Sequence, residues 1–192
     1  MTSVVEHINT FARRYCGVRM REVGYSHLLF SELRRELGDR FLIGLGANLK
    51  DVQPEIGSRE EHLLAKYMPK AEDLYPDLVM FEHEILDIGL YEITRFQRLP
   101  ATVQPKLLVE WKFTSCFPTM HRRIVLADAA KLEVLGDYLL RTKGHRPELL
   151  QVIFNFPSRR RPQPDTRVRR WFESDALSAE MPHVRTLMVI PD

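Results

Sequence analysis

Apolar residues recur at helical spacing over residues 3–15, where Val4, Val5, Ile8, Phe11 and Ala12 share a face and Gly17 follows as a stop. A second helical pattern covers residues 21–37, with Tyr25, Leu28, Leu29, Leu33 and Leu37 on one side and Gly38-Asp39 closing it. The short apolar run RFLIGL, residues 40–45, is bounded by Gly38, Gly46 and Asn48 and predicts a strand. Gly57-Ser58, followed by Glu60 and Glu61, starts a helix that reaches about residue 68. Pro76 has no N–H to give a ladder and marks entry to a strand over residues 77–81, DLVMF.

Residues 83–106 are mixed in character and end in LPATVQP, which reads as an insertion or long connection. The next run, KLLVEWKF over residues 106–113, has period two. Leu107, Val109, Trp111 and Phe113 point one way and Leu108, Glu110 and Lys112 the other, so a strand with one apolar face is expected, with Trp111 in the core. Residues 127–140 predict a helix despite Gly136, residues 149–156 a buried strand, and residues 184–190 a final strand. The order predicts an α/β fold, a mixed β-sheet flanked by helices, in a single domain spanning 1–192.

With 192 residues and 44% apolar composition, the chain can bury one core. No uncharged run reaches the roughly 18 residues of a membrane helix, so no membrane partner is expected. The start MTSVVEHINTFARRYCG lacks the pattern of a secretory leader. Cys16 and Cys116 are too few for a disulfide framework or a four-cysteine zinc site, which suits a cytoplasmic protein. The 28 basic and 26 acidic side chains are unevenly spread. Residues 71–92 hold seven acids and no Lys or Arg, whereas residues 158–170 hold Arg159, Arg160, Arg161, Arg167, Arg169 and Arg170 against Asp165 alone. That run, within a proline-interrupted arm over residues 157–170, reads either as a phosphate-binding arm or as a solvated surface.

Three residues carry the candidate chemistry: Asp77 at a strand start, and Glu110 and Lys112 two apart on one strand face. Carboxylates converging from neighbouring strands offer hard oxygen ligands to Mg²⁺, with Mn²⁺ as a substitute, and a lysine beside them can orient water or offset phosphate charge. With 16 Glu and 7 Lys, chance alone supplies about 0.6 Glu-x-Lys tripeptides, so the weight rests on context. Gly44-Leu45-Gly46-Ala47-Asn48 lacks the elements of a phosphate-binding loop, and no Gly-x-Ser-x-Gly elbow is present.

These stretches, Pro76 to Phe81 and Leu107 to Lys112, resemble the PD-(D/E)XK nuclease superfamily, the restriction-endonuclease-like fold. EVGYSHLLFSELRREL resembles the first core helix of such proteins, which often begins with a glutamate, and DAAKLEVL resembles the helix after the E-x-K strand. The resemblance covers roughly residues 20–156 and implies an αβββαβ core, a divalent metal and phosphodiester hydrolysis. It implies Asp77 and Glu110 as metal ligands, Lys112 serving the water, and Glu22 completing the site. Asp87 is the alternative strand aspartate, and Glu32 and Glu36 are alternative helix acids.

DNA is the expected partner, held by Arg122 and Arg123 and the arginine run, and cutting both strands would call for a homodimer. Plainer readings stand beside these. Asp77 fits a strand-entry turn, Glu110 and Lys112 a solvent-facing stripe, and Glu22 a macrodipole partner. Lys131 and Tyr138 fit either nucleic-acid backbone contacts or a surface or core-edge place, and His27, His83 and His121 fit either action near a metal or leaving group or structural and surface places. The rival function is a non-catalytic protein of the same fold that binds nucleic acid or another protein.

Overall fold

The computed structural model describes residues 2–16, 18, 20–85, 93–114, 122–157 and 179–190. In chain order its elements are α1 (Thr2–Tyr15), α2 (Glu22–Leu37), β1 (Phe41–Leu42), β2 (Ala47–Asn48), α3 (Leu49–Val52), α4 (Ser58–Tyr67), β3 (Asp73–Leu74), β4 (Leu78–Phe81), β5 (Pro105–Phe113), α5 (Arg122–Lys143), β6 (Glu148–Phe154) and β7 (Val184–Val189). Gly38 ends α2 with φ of 75°, a left-handed turn that glycine makes without Cβ strain, and its N–H donates to the Arg34 carbonyl at 2.9 Å.

One mixed sheet runs β1-β4-β5-β6-β7. The pairs β1 with β4 and β4 with β5 are antiparallel, while β5, β6 and β7 are mutually parallel. Helix α5 carries the chain from β5 to its parallel neighbour β6, as a parallel pair requires. On one face α1 and α2 pack through Val4, Ile8, Phe11, Tyr25, Leu29 and Leu33 against Val109, Trp111, Phe113 and Phe154. Ring stacking orders this layer: Tyr25 lies 4.6 Å from Phe113, and Phe113 lies 4.4 Å from Phe154. On the other face α4 and α5 bury Leu63, Leu64, Leu132, Leu135 and Leu139 with Val79, Leu108 and Leu149. Gly136 lets the Leu149 side chain of β6 pack directly on α5, since a Cβ there would stand 2.8 Å from Leu149 Cδ1.

Two expectations need correction. The run RFLIGL supplies only two strand residues, because Gly44, with φ of 73°, turns the chain out of the sheet and leaves Ile43 exposed. Ala47–Asn48 pairs instead with Asp73–Leu74 in a separate ribbon. The strand of residues 106–113 has no solvent-facing side: it is central, α5 covers its second face, and Glu110 is 1% exposed. In the connection before it, Phe96 and Leu99 enter the core, and Asp87 lies outside the described residues.

A buried ionic group ties α4 to α5. Arg59 Nη2 reaches Glu133 Oε1 at 2.6 Å, Arg141 Nη2 reaches Glu60 Oε2 at 3.2 Å, and Arg146 pairs with Asp137. His183 Nδ1, at the entry to β7, stands 2.6 Å from Glu133 Oε1. Breaking such a network on one side leaves a buried charge uncompensated, so it holds these elements in one arrangement.

Candidate active site

The antiparallel register of β4 on β5 pairs Leu78 with Val109, so the next pair outward is Asp77 with Glu110. Side-chain alternation puts both on the face that α5 covers. The Trp111 N–H donates to Asp77 Oδ2 at 2.8 Å, which pins that carboxylate against the neighbouring strand. Lys112, two residues beyond Glu110, emerges on the same face at the end of β5.

Helix α2 delivers the glutamate. Tyr25 stacks on Phe113, and Ser26 Oγ accepts a 2.8 Å hydrogen bond from Trp111 Nε1, so the first turn of α2 is fixed against the end of β5. Glu22 Oε1 then lies 3.6 Å from Lys112 Nζ. The alternatives are engaged elsewhere: Glu32 pairs with Arg14, and Glu36 with Arg35.

Helix α5 adds two residues that the sequence reading did not place in the site. Asp128 Oδ2 lies 3.4 Å from Lys112 Nζ, and Lys131 Nζ lies 2.6 Å from Glu110 Oε1 and 3.9 Å from Asp128 Oδ1. Their spacing of three on a helix was the available signal, since it puts an acid and a lysine on one face. Lys131 therefore points inward, and Tyr138, 3% exposed, belongs to the core. The polar row continues across the sheet: Gln151 pairs with Glu110 in register, and Thr186 with Gln151. Gln151 is fully buried and its Nε2 donates to the Val125 carbonyl at 2.7 Å, anchoring the start of α5 over the site.

Electrostatically the group is short of positive charge, with four carboxylates facing two ammoniums. Burial pushes the Glu110 carboxyl well above its usual range, and Asp77 and Asp128 add to this against the pull of Lys131. Burial also raises Glu22 and Asp128, each opposed by Lys112. Burial alone would lower Lys112, but the fields of Asp128, Glu22, Asp77 and Glu110 outweigh it and hold the ammonium charged. Lys131 is held charged in the same way, by Glu110 and then Asp128.

The three buried oxygens Glu22 Oε1, Glu110 Oε1 and Asp128 Oδ2 are met by the ammoniums of Lys112 and Lys131. As the side chains lie, no three His, Cys, Asp or Glu among the described residues form a group that could hold a metal ion; Lys112 and Lys131 bridge the carboxylates instead. The donor set nonetheless fits a hard divalent cation, because it is all oxygen and sets four carboxylates against two ammoniums.

A cleft of about 360 Å³ opens beside the group, lined by Glu22, Asp77 and Lys112 together with His27 and apolar side chains. His83 lies apart from it, against Phe81 and Val103. Arg122 and Arg123 are exposed at the start of α5. Arg159, Arg160, Arg161, Arg167, Arg169 and Arg170, with His121 and Cys116, lie outside the described residues. No described helix is long and apolar enough to cross a membrane. Compared with protein-family models, curated proteins and solved structures, the chain matches none.

Proposed function

We propose that this chain is a Mg²⁺-dependent nuclease of the PD-(D/E)XK type that hydrolyses DNA phosphodiester bonds. One observation carries the reading: Asp77 and Glu110 are register neighbours on antiparallel strands, with Lys112 on the same face and Glu22 reaching Lys112 from α2. The element order α2-β1-β4-β5-α5-β6, with β2, α3, α4 and β3 between β1 and β4, supports the restriction-endonuclease-like αβββαβ core.

Asp77, Glu110 and Glu22 would hold the ion, Mg²⁺ or Mn²⁺. When bound, it lowers the pKa of coordinated water and neutralises charge on the scissile phosphate. The chain's own residues then have distinct tasks. Lys112, held as an ammonium between Glu22 and Asp128, lines the cleft, where it can orient the attacking water and stabilise charge gathering on the phosphate oxygens. Lys131 balances Glu110 in the dry interior and keeps its side chain aimed at the site. Hydrolysis joins the water oxygen to phosphorus, breaks the bond to the sugar oxygen and leaves a proton for that departing oxygen. Arg122 and Arg123, on the helix that carries Asp128, would take up neighbouring phosphates, with the arginine run adding affinity.

The test is plasmid nicking and oligonucleotide cleavage with Glu110→Gln and Lys112→Ala, with circular dichroism confirming that each variant folds. Each should lose at least about a hundredfold in Mg²⁺-dependent rate. Cleavage by either at the unsubstituted rate refutes the assignment.

A further inference from the structure

The lining of the cleft beside the carboxylates is of two kinds, charged Glu22, Asp77 and Lys112 and apolar Val23, Phe30 and Ile43. The two interleave residue by residue: Val23 follows Glu22 in the first turn of α2, and buried Trp111 precedes Lys112 on β5. Val23 is 59% exposed and Ile43 is 52% exposed, so this apolar lining faces water beside the carboxylates. Side chains of this kind around a cleft mark a place where an apolar face is covered on binding.

Resting on the nuclease reading, we infer that this cleft takes an unpaired nucleobase of the strand being cut, so that the preferred substrate is DNA single-stranded at the cleavage point. A base and its phosphate are covalently joined, so a phosphate at Lys112 brings its base to the apolar lining of the same cleft. In continuous duplex, base faces are stacked on one another and show the protein only edges and backbone. An unpaired base presents an apolar face, which Val23, Ile43 and the Phe30 ring can cover without reading its identity. The volume of about 360 Å³ sits at the lower end of clefts that take small organic ligands, a size for one base rather than a helix.

Binding is measured on the full chain in Ca²⁺ with a 2-aminopurine oligonucleotide, first as a single strand and then in a complete duplex. The single strand should bind at least about tenfold more tightly, with a change in 2-aminopurine fluorescence on binding. The double variant Val23→Ser/Ile43→Ser, altered at two largely exposed positions and therefore expected to fold, should lose about tenfold in single-strand affinity and most of that fluorescence change, leaving duplex affinity as it was. Equal affinity of the unsubstituted chain for the two forms overturns the inference, as does a variant that binds single strand normally. The two readings fail separately. Efficient cleavage of continuous duplex without single-strand preference removes the cleft and keeps the nuclease, whereas single-strand preference with no cleavage in Mg²⁺ removes the nuclease and keeps the cleft.

Discussion

Replacing Lys131 with methionine keeps most of its aliphatic volume and deletes the one ammonium within 2.6 Å of a carboxylate that is 1% exposed. In metal-free protein this strands Glu110. At neutral pH the structure then either holds an uncompensated charge, at a cost of about 3–5 kcal/mol, or forces a proton onto the carboxyl. The second route sets a ceiling that depends on pH. An unfolded glutamate ionises near pH 4.3, and keeping the folded one protonated costs about 1.4 kcal/mol for each pH unit above that. The penalty is therefore about 1 kcal/mol at pH 5 and no more than about 5 kcal/mol at pH 8.

The sign follows from the raised pKa of Glu110. The folded state binds the extra proton, so stability falls as pH rises from the ordinary carboxylate range toward the raised value, and removing Lys131 extends that fall to higher pH. Denaturant titrations in EDTA at pH 5 and pH 8 read the effect directly. At pH 8 a loss of about 3 kcal/mol corresponds to a drop in Tm of about 6–12 °C for a domain of this size. Glu110→Gln in the Lys131→Met background should recover most of it. A loss that is the same at both pH values, or that Glu110→Gln does not relieve, would mean that Lys131 only packs and that the ion pair is not what the site depends on.

Divalent ions should raise the Tm of the unsubstituted chain, by the equivalent of about 2.7 kcal/mol at a hundred times Kd, and Ca²⁺ should support DNA binding without efficient turnover. Cleavage that survives exhaustive EDTA treatment refutes the metal requirement. Replacing Arg159, Arg160 and Arg161 with Ala should flatten the slope of log affinity against log salt on duplex DNA by roughly 1 to 3 units and leave single-turnover cleavage at saturating protein unchanged; an unchanged slope returns the run to a solvated surface. Gly136→Val should destabilise the fold by about 1–3 kcal/mol in chemical denaturation, because its side chain would meet Leu149 across the α5–β6 contact, and a neutral effect would show that this contact yields.

Periodicity in the sequence determined most of the scaffold. Helices α1 and α2 lie within a residue of the bounds that their apolar spacing predicts, and the period-two run around Glu110 is β5, because each pattern survives only if its apolar side is buried. The same alternation already put Glu110 and Lys112 on one face of one strand. It could not say what covers that face. From sequence the polar side of β5 fits a solvent-facing stripe as well as a site, yet α5 packs over it, and burial by a distant helix is what perturbs Glu110 and turns Asp128 and Lys131 inward. The neighbouring of Asp77 and Glu110 is likewise a matter of register across a long connection, and a slip of one residue would send either side chain to the opposite face. Local pattern reports which side chains travel together along an element. Only the packing of elements far apart in sequence decides which of them meet, how dry their meeting place is, and hence what charge they carry.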